Sequence, residues 1–123
     1  MSDVTRSARE WRLYIKDMVQ FGKDVLSYTD GLDYSAFIAD RLTYDATLRK
    51  LQLIGQAATN IPSEVQDAHP SIPWNAIVET RNRLANSYLH INDEAIWSII
   101  RNAVPALLPS LRDLLGTTPD QVG

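Results

Sequence analysis

The stretch RNRLANSYLHI, Arg81 to Ile91, gathers guanidinium, amide, phenol and imidazole groups within eleven residues. Arg81 and Arg83 carry permanent charge and planar donors suited to phosphate or carboxylate oxygens. His90 is one of two histidines in the chain, and histidine as a residue type can shuttle protons near neutrality. Asn82 and Asn86 can orient a ligand but cannot pass a proton at neutral pH. Tyr88 adds a hydroxyl. Other chemistries find little support. His69 and His90 lack metal-ligand spacing, and no carboxylate pattern completes a metal site. There is no glycine-rich phosphate loop and no Ser-His-Asp set recognisable by spacing. The absence of cysteine removes thiolate metal sites and disulfides, which fits a reducing compartment.

Helices must position these groups. Glycine is scarce, proline is localised, and no repeat or low-complexity segment stands out. The spacing of Trp11, Tyr14, Ile15, Met18, Gly22 and Val25 predicts a helix from about Ser7 to Tyr28, ended by Asp30-Gly31. Asp33 is placed to cap a short helix, Tyr34 to Asp40. Tyr44, Leu48, Leu51, Gly55 and Ala58 share a face of a helix from about Thr43 to Asn60. Gly55 inside it costs about 1 kcal/mol against alanine, so it marks a close helix approach. Ile61 to Pro73 holds three prolines and is expected to be a connection. A helix from Trp74 to about Leu89 carries the opening motif. Asn92 or Asp93 is placed to cap a last helical region reaching Leu115, broken or kinked at Pro105. The expected fold is all-α: an antiparallel bundle of four main helices and a short one over residues 1–116, with a loose tail at 117–123.

On the motif helix, Trp74, Ile77, Val78, Leu84, Ala85 and Tyr88 form a predicted buried stripe. Arg81 fills the gap in it. A buried guanidinium without a partner costs several kcal/mol, so Arg81 needs a carboxylate, a subunit partner or a phosphate. The bland alternative is an arginine ion-paired to Asp or Glu at a helix seam. Arg83 points away from the stripe and reads as solvated. Tyr88 reads by default as a rim-packed aromatic, and His90 as a surface residue at a frayed helix end.

Composition limits the setting. The chain has 123 residues, 45% hydrophobic and 22% charged, enough for one domain with a real core. The polar N-terminal stretch MSDVTRSAREW has no apolar signal core, and no run approaches the ~18 apolar residues of a membrane span. A cytoplasmic location is expected. The net charge of −3 argues against non-specific nucleic-acid binding but leaves room for a local basic cleft.

The segment IPWNAIVETRNRLANSYLHINDEAIW, Ile72 to Trp97, resembles the HEPN-fold toxins of the HepT type. Their hallmark is IPW, a spacer, then R-N-x-L-x-H-x-Y and a D-x-x-x-x-W-like continuation. Here it reads Ile72-Pro73-Trp74, Arg81-Asn82-Arg83-Leu84-Ala85, Ser87-Tyr88, then Asp93 and Trp97. LRKLQLIGQAA, Leu48 to Ala58, is similar to a second hallmark that usually reads L-E-I-I-G-E-A. The opening YIKDM and closing VPALLPSLRDLL also fit, so the resemblance covers nearly the whole chain.

The resemblance implies a dimeric HEPN bundle whose motif helices line a shared cleft. It implies the toxin of a type VII HEPN/MNT toxin–antitoxin pair, a metal-independent endoribonuclease acting on tRNA or mRNA without a cofactor. The chemistry would be attack of the ribose 2′-OH on the adjacent phosphate. Arg81, Asn82 and position 86 would be the catalytic set, with secondary RNA contacts from Arg83, His90, Arg49 and Lys50. An MNT nucleotidyltransferase antitoxin would be the partner, and AMP on Tyr88 the covalent modification that blocks the cleft.

Two departures stand out. Asn86 occupies the family's histidine position, five residues after Arg81. General acid–base catalysis is typically worth ~10²–10⁴-fold, so a disabled or attenuated nuclease is expected. The change is either natural, in a degenerate toxin or binding module, or introduced so that a toxic nuclease can be produced; the intact remainder of the motif favours the second. His90 as a substitute would require a shifted register. Gln56 stands where the family commonly has glutamate. The alternatives to a nuclease are a non-catalytic module that binds RNA or an MNT partner, and a nucleotide-linked regulatory dimer without RNA.

Overall fold

Local capping chemistry sets where three of the described helices start. The computed structural model describes residues 2–86 and 91–116, with side chains from residue 10 onward. Helix α1 is Ser2–Tyr28, five residues longer at its start than the apolar stripe predicts. Ile15, Met18 and Val25 on that stripe are fully buried. The chain then turns at Gly31, whose φ of +77° lies in the left-handed region that glycine adopts without penalty. Asp33 caps α2 (Tyr34–Ala39) as expected, its carboxylate accepting from the Ala36 amide at 2.8 Å. Asp40 ends α2 and starts α3 (Arg41–Ala58). Its two carboxylate oxygens accept from the Thr43 amide at 3.1 Å and hydroxyl at 2.8 Å. Those bonds hold the Asp40 carboxyl below its ordinary range. Helix α3 therefore begins and ends two residues earlier than its apolar spacing predicts.

The connection after α3 contains more structure than its prolines suggest. Ser63–Ala68 forms a short helix, α4. Pro62 sits just before its first residue, where a missing N–H costs nothing, and its carbonyl accepts from Val65 and Gln66 at 3.0 and 3.1 Å. The IPW segment then plugs the bundle. Ile72 and Trp74 are buried, and the Trp74 indole donates to the His69 carbonyl at 3.1 Å. Helix α5 is Trp74–Ala85, four residues shorter than expected.

Asn92 caps α6 (Asp93–Ser98), accepting from the Ala95 amide at 2.7 Å. The backbone runs on through a π-helical turn, Ile99–Ala103, into α7 (Val104–Gly116). The widened turn directly precedes Pro105, which cannot donate and would crowd the carbonyl of an ordinary preceding turn. The predicted kink is thus realised as an extra residue in the ladder. Pro109 sits inside α7 as well, on its exposed side, where the carbonyl it leaves unpaired can meet water.

The all-α HEPN bundle expected from the sequence is therefore the observed fold, with α4 as an additional short helix. Its four long members are α1, α3, α5 and the α6–α7 rod. Helix α1 packs against α3 and α7, and α3 packs against α5. Helices α5 and α7 pack far less closely against each other than α5 does on α3 or α7 on α1. The seam between them stays open as an apolar groove of about 180 Å³, floored by Leu51 and Ile54 of α3. Among the described helices none is long and apolar enough to cross a membrane.

Candidate functional site

Gly55 determines where α5 crosses α3. A Cβ built on it would overlap the Arg81 Cβ and lie 3.0 Å from the Ile77 carbonyl. Any other residue would push the helices apart. The close approach inferred from an interior glycine is real, and the side chain it admits is Arg81.

Arg81 is half-buried and held at both ends of its guanidinium. Nη2 donates to Gln56 Oε1 at 2.7 Å, and Nη1 donates to Asn82 Oδ1 at 2.8 Å. Both acceptors are neutral amides. Among the described residues no carboxylate pairs with Arg81, so the helix-seam ion pair considered above is not what the fold builds. Amide oxygens satisfy part of the guanidinium while its charge stays uncompensated.

Asn86 leaves the helix. Its backbone is extended, at φ −115° and ψ 113°, and its side-chain amide donates to the Asn82 carbonyl at 2.8 Å. That bond satisfies one of the carbonyls left over at the end of α5. Asn82 thus joins the two key positions: its side chain binds Arg81 and its backbone binds Asn86. The structure brings together Gln56, Arg81, Asn82 and Asn86 in one hydrogen-bonded chain. Arg83 is exposed in the last turn of α5, as expected of a solvated charge that also suits the helix C-terminus. Ala85, placed on the buried stripe by periodicity, is exposed instead, at the last residue of the helix. Tyr88 and His90 lie outside the described residues.

The two secondary cations on α3 diverge. Arg49 is exposed and donates to Gln52 at 3.5 Å. It lies seven residues, two helical turns, before Gln56, on the same side of the helix. Lys50 turns the other way, to Asp24 of α1 at 3.1 Å. Its bond to Asp24 raises the Lys50 ammonium's pKa against a smaller loss from burial. Lys50 is therefore part of the α1–α3 packing, not of the motif's surroundings.

Asp93 and Trp97, which follow the motif, prove to be anchors for α6. Tyr44 Oη donates to Asp93 at 2.5 Å. Burial and that carboxylate push the Tyr44 phenol up to about 12. Trp97 packs on Phe37, ring centroids 5.2 Å apart, and edge-on to Tyr34 at 6.3 Å. Among the described residues no trio of His, Asp or Glu gathers as a metal ion would require.

Comparison with known proteins places the chain in a family. The family model described as Ribonuclease HepT-like matches residues 18–114. The chain belongs to that HepT-like ribonuclease family of HEPN proteins. It is similar to a Methanocaldococcus jannaschii protein named "Putative RNase", 29% identical over 87% of this chain and 88% of the relative. A second protein of that name from the same organism is 30% identical over 82% and 93%. "Probable ribonuclease HepT" of Thermococcus cleftensis is 27% identical over 80% and 90%. No solved structure matches the chain.

Proposed function

We propose that this chain is the ribonuclease-type toxin of a type VII HEPN/MNT pair, attenuated by Asn86. The observation that carries the reading is Arg81, held in place by two neutral amides with its charge uncompensated. That is what a phosphate ligand asks of an arginine. The substrate is tRNA or mRNA. In the reaction the 2′-oxygen bonds to phosphorus as the bond to the 5′-oxygen breaks, giving a 2′,3′-cyclic phosphate and a 5′-hydroxyl. Arg81 stabilises the extra negative charge of the phosphorane. One group must take the 2′ proton and one must supply a proton to the 5′-oxygen. No metal or cofactor takes part.

Position 86 is where this chain falls short. The Asn86 amide donates to the Asn82 carbonyl. An imidazole on the same backbone could make that bond through one ring nitrogen, fixing its tautomer and leaving the other nitrogen free for a substrate proton. Asparagine keeps the anchor and lacks the proton. The same observation favours a second reading, a non-catalytic module that binds RNA or an MNT partner through the same cleft. In either case the chain acts in the cytoplasm as a homodimer, and an MNT nucleotidyltransferase neutralises it, with AMP on Tyr88 as the means. The apolar groove beside α5 supports the dimer, because it runs alongside the turn that carries Arg81.

The test is cleavage of total tRNA, in chelator, by this chain and its Asn86→His variant. The attenuated-nuclease reading expects cleavage only from the histidine form, and its loss when Arg81→Ala is added. A histidine form that binds RNA but leaves tRNA and mRNA intact selects the binding module. Equal cleavage by both forms moves the catalytic role away from position 86.

A further inference from the structure

The outer side of α6 and the π-helical turn carries a polar and aromatic set that the chemistry above leaves unused. Glu94, Trp97, Ser98, Arg101 and Asn102 follow the i, i+3, i+4, i+7, i+8 spacing of one helix face. That spacing ordinarily marks a buried stripe, yet Trp97 is half-buried and the other four are exposed. The core is met by different residues, Ile96, Ile100 and Val104. With Tyr34, the first residue of α2, the five line an open depression of about 460 Å³. We infer that this depression is a nucleobase subsite, selective for guanine, that takes an unstacked base of single-stranded RNA. Its role with RNA rests on the functional reading above, whereas its choice of base rests on its own side chains.

Arg101 is the stacking platform. Its guanidinium lies over the Trp97 ring, 4.9 Å from the centroid, and Trp97 is backed by the buried Phe37 at 5.2 Å. Among the described residues no carboxylate pairs with Arg101. The aromatic ring therefore holds the guanidinium, and bases stack on guanidinium planes as they do on aromatic faces. Tyr34 stands edge-on to Trp97 at 6.3 Å and forms a wall. The Asn102 amide donates to the Ser98 hydroxyl at 3.3 Å, which orients it on the opposite rim.

Glu94 selects the base. A carboxylate accepts best from two adjacent N–H groups, and the Watson–Crick edge of guanine offers a ring N–H beside an amine. Adenine and cytosine set a ring acceptor beside their amine, and uracil flanks its N–H with two carbonyls. In all three, an acceptor faces the carboxylate. The local field is negative: burial, then the charges of Asp93 and Glu94, push the Tyr34 phenol up. A neutral base tolerates that field and a phosphate does not. The depression thus recognises a base and leaves phosphate to the motif.

The test titrates guanosine, adenosine, cytidine and uridine into the isotope-labelled chain and follows the Trp97 indole and Arg101 side-chain signals by NMR. Guanosine should bind with a dissociation constant of about 1 mM, and the others roughly 5-fold more weakly. Glu94→Gln should weaken guanosine about 10-fold and erase its advantage over adenosine. Arg101→Ala and Arg101→Lys should each weaken guanosine about 5-fold, since lysine restores the charge but not the plane. Thermal melts of the variants should match the unchanged chain, because both residues are exposed. A single-stranded adenine oligonucleotide with one central guanine should bind more tightly than its all-adenine counterpart, and Glu94→Gln should remove the difference. Guanosine that leaves the Trp97 signal unmoved, four nucleosides that bind alike, or full rescue by lysine overturns the inference. Guanosine binding with no gain from guanine in the RNA overturns the RNA subsite and leaves a site for free nucleosides. If neither RNA binds, the RNA reading fails and the subsite's role fails with it, while the nucleoside titration still decides the guanine pocket by itself.

Discussion

A single missing side chain organises the site. Because the Gly55 and Arg81 backbones approach so closely, Gly55→Ala drives its methyl group into the Arg81 Cβ. Alanine is the better helix former by about 1 kcal/mol, so an exposed glycine would gain from the change. Here overpacking of about 1–3 kcal/mol or more should outweigh that gain. The variant should unfold at lower denaturant concentration, and its RNA binding should fall as well, because α5 must retreat and carry Arg81 away from Gln56. A stabilised Gly55→Ala protein would show that the helices are not held this tightly. The glycine and the arginine are each legible in the sequence, one as a helix-interior anomaly and the other as a charge on an apolar stripe. That they are the same feature seen from two helices is not, because pairing between helices leaves no periodicity. Gln56 stands out in the sequence only as a departure from a family habit; its neighbour Gly55 is the physical signal that it can reach across.

At the level of elements, capping chemistry is legible and helix ends governed by tertiary contacts are not. Asp33 and Asn92 cap the helices that their position predicts, through bonds any short polar side chain can make locally. Helix α4 is hidden because Pro62 reads as a breaker, although a proline just before the first turn is tolerated. The early end of α5 is hidden because Asn86 closes it with its own side chain. The Tyr44–Asp93 bond, spanning 49 residues, leaves no local trace at all. It ties α3 to the first residue of α6, just beyond the motif, and it makes a prediction about pH. The Tyr44 phenol is pushed from its ordinary 10.0 to about 12, so the folded state favours its protonated form. Its contribution is complete below pH 10 and is lost as pH rises from about 10 through about 12. Tyr44→Phe should cost about 1–2 kcal/mol at neutral pH. The stability gap between the two proteins should then close across that alkaline window. Denaturant titrations at pH 7, 10 and 11.5 measure it, and a gap that widens with pH would contradict the assignment.

For the molecule as a whole, the open seam between α5 and α7 is the feature a closed bundle would not have. Pro73, Ala76, Ile77 and Thr80 of the α5 side face Ile99, Ala103, Val104 and Leu107 across it. In a chain of 13.8 kDa, leaving such a strip in water costs burial that the fold could otherwise use. The π-helical turn before Pro105 contributes Ile99 and Ala103 to the far wall, so the helical irregularity and the groove belong together. In the proposed dimer a second copy covers the groove and brings its own Arg81 to the same cleft. That would concentrate positive charge locally in a protein that is acidic overall. The exposed Ala76 on the groove wall tests this without touching the core. Ala76→Glu should place two like charges at the interface and convert the protein to a 13.8 kDa monomer in sedimentation velocity, with its helical content intact. The same substitution in the Asn86→His background should reduce tRNA cleavage at least ~10-fold, and most steeply at low protein concentration, where mass action already favours monomers. A protein that is monomeric before the change, or an Ala76→Glu monomer that still cleaves at full rate, would place the whole active cleft within one bundle and leave the groove with some other use.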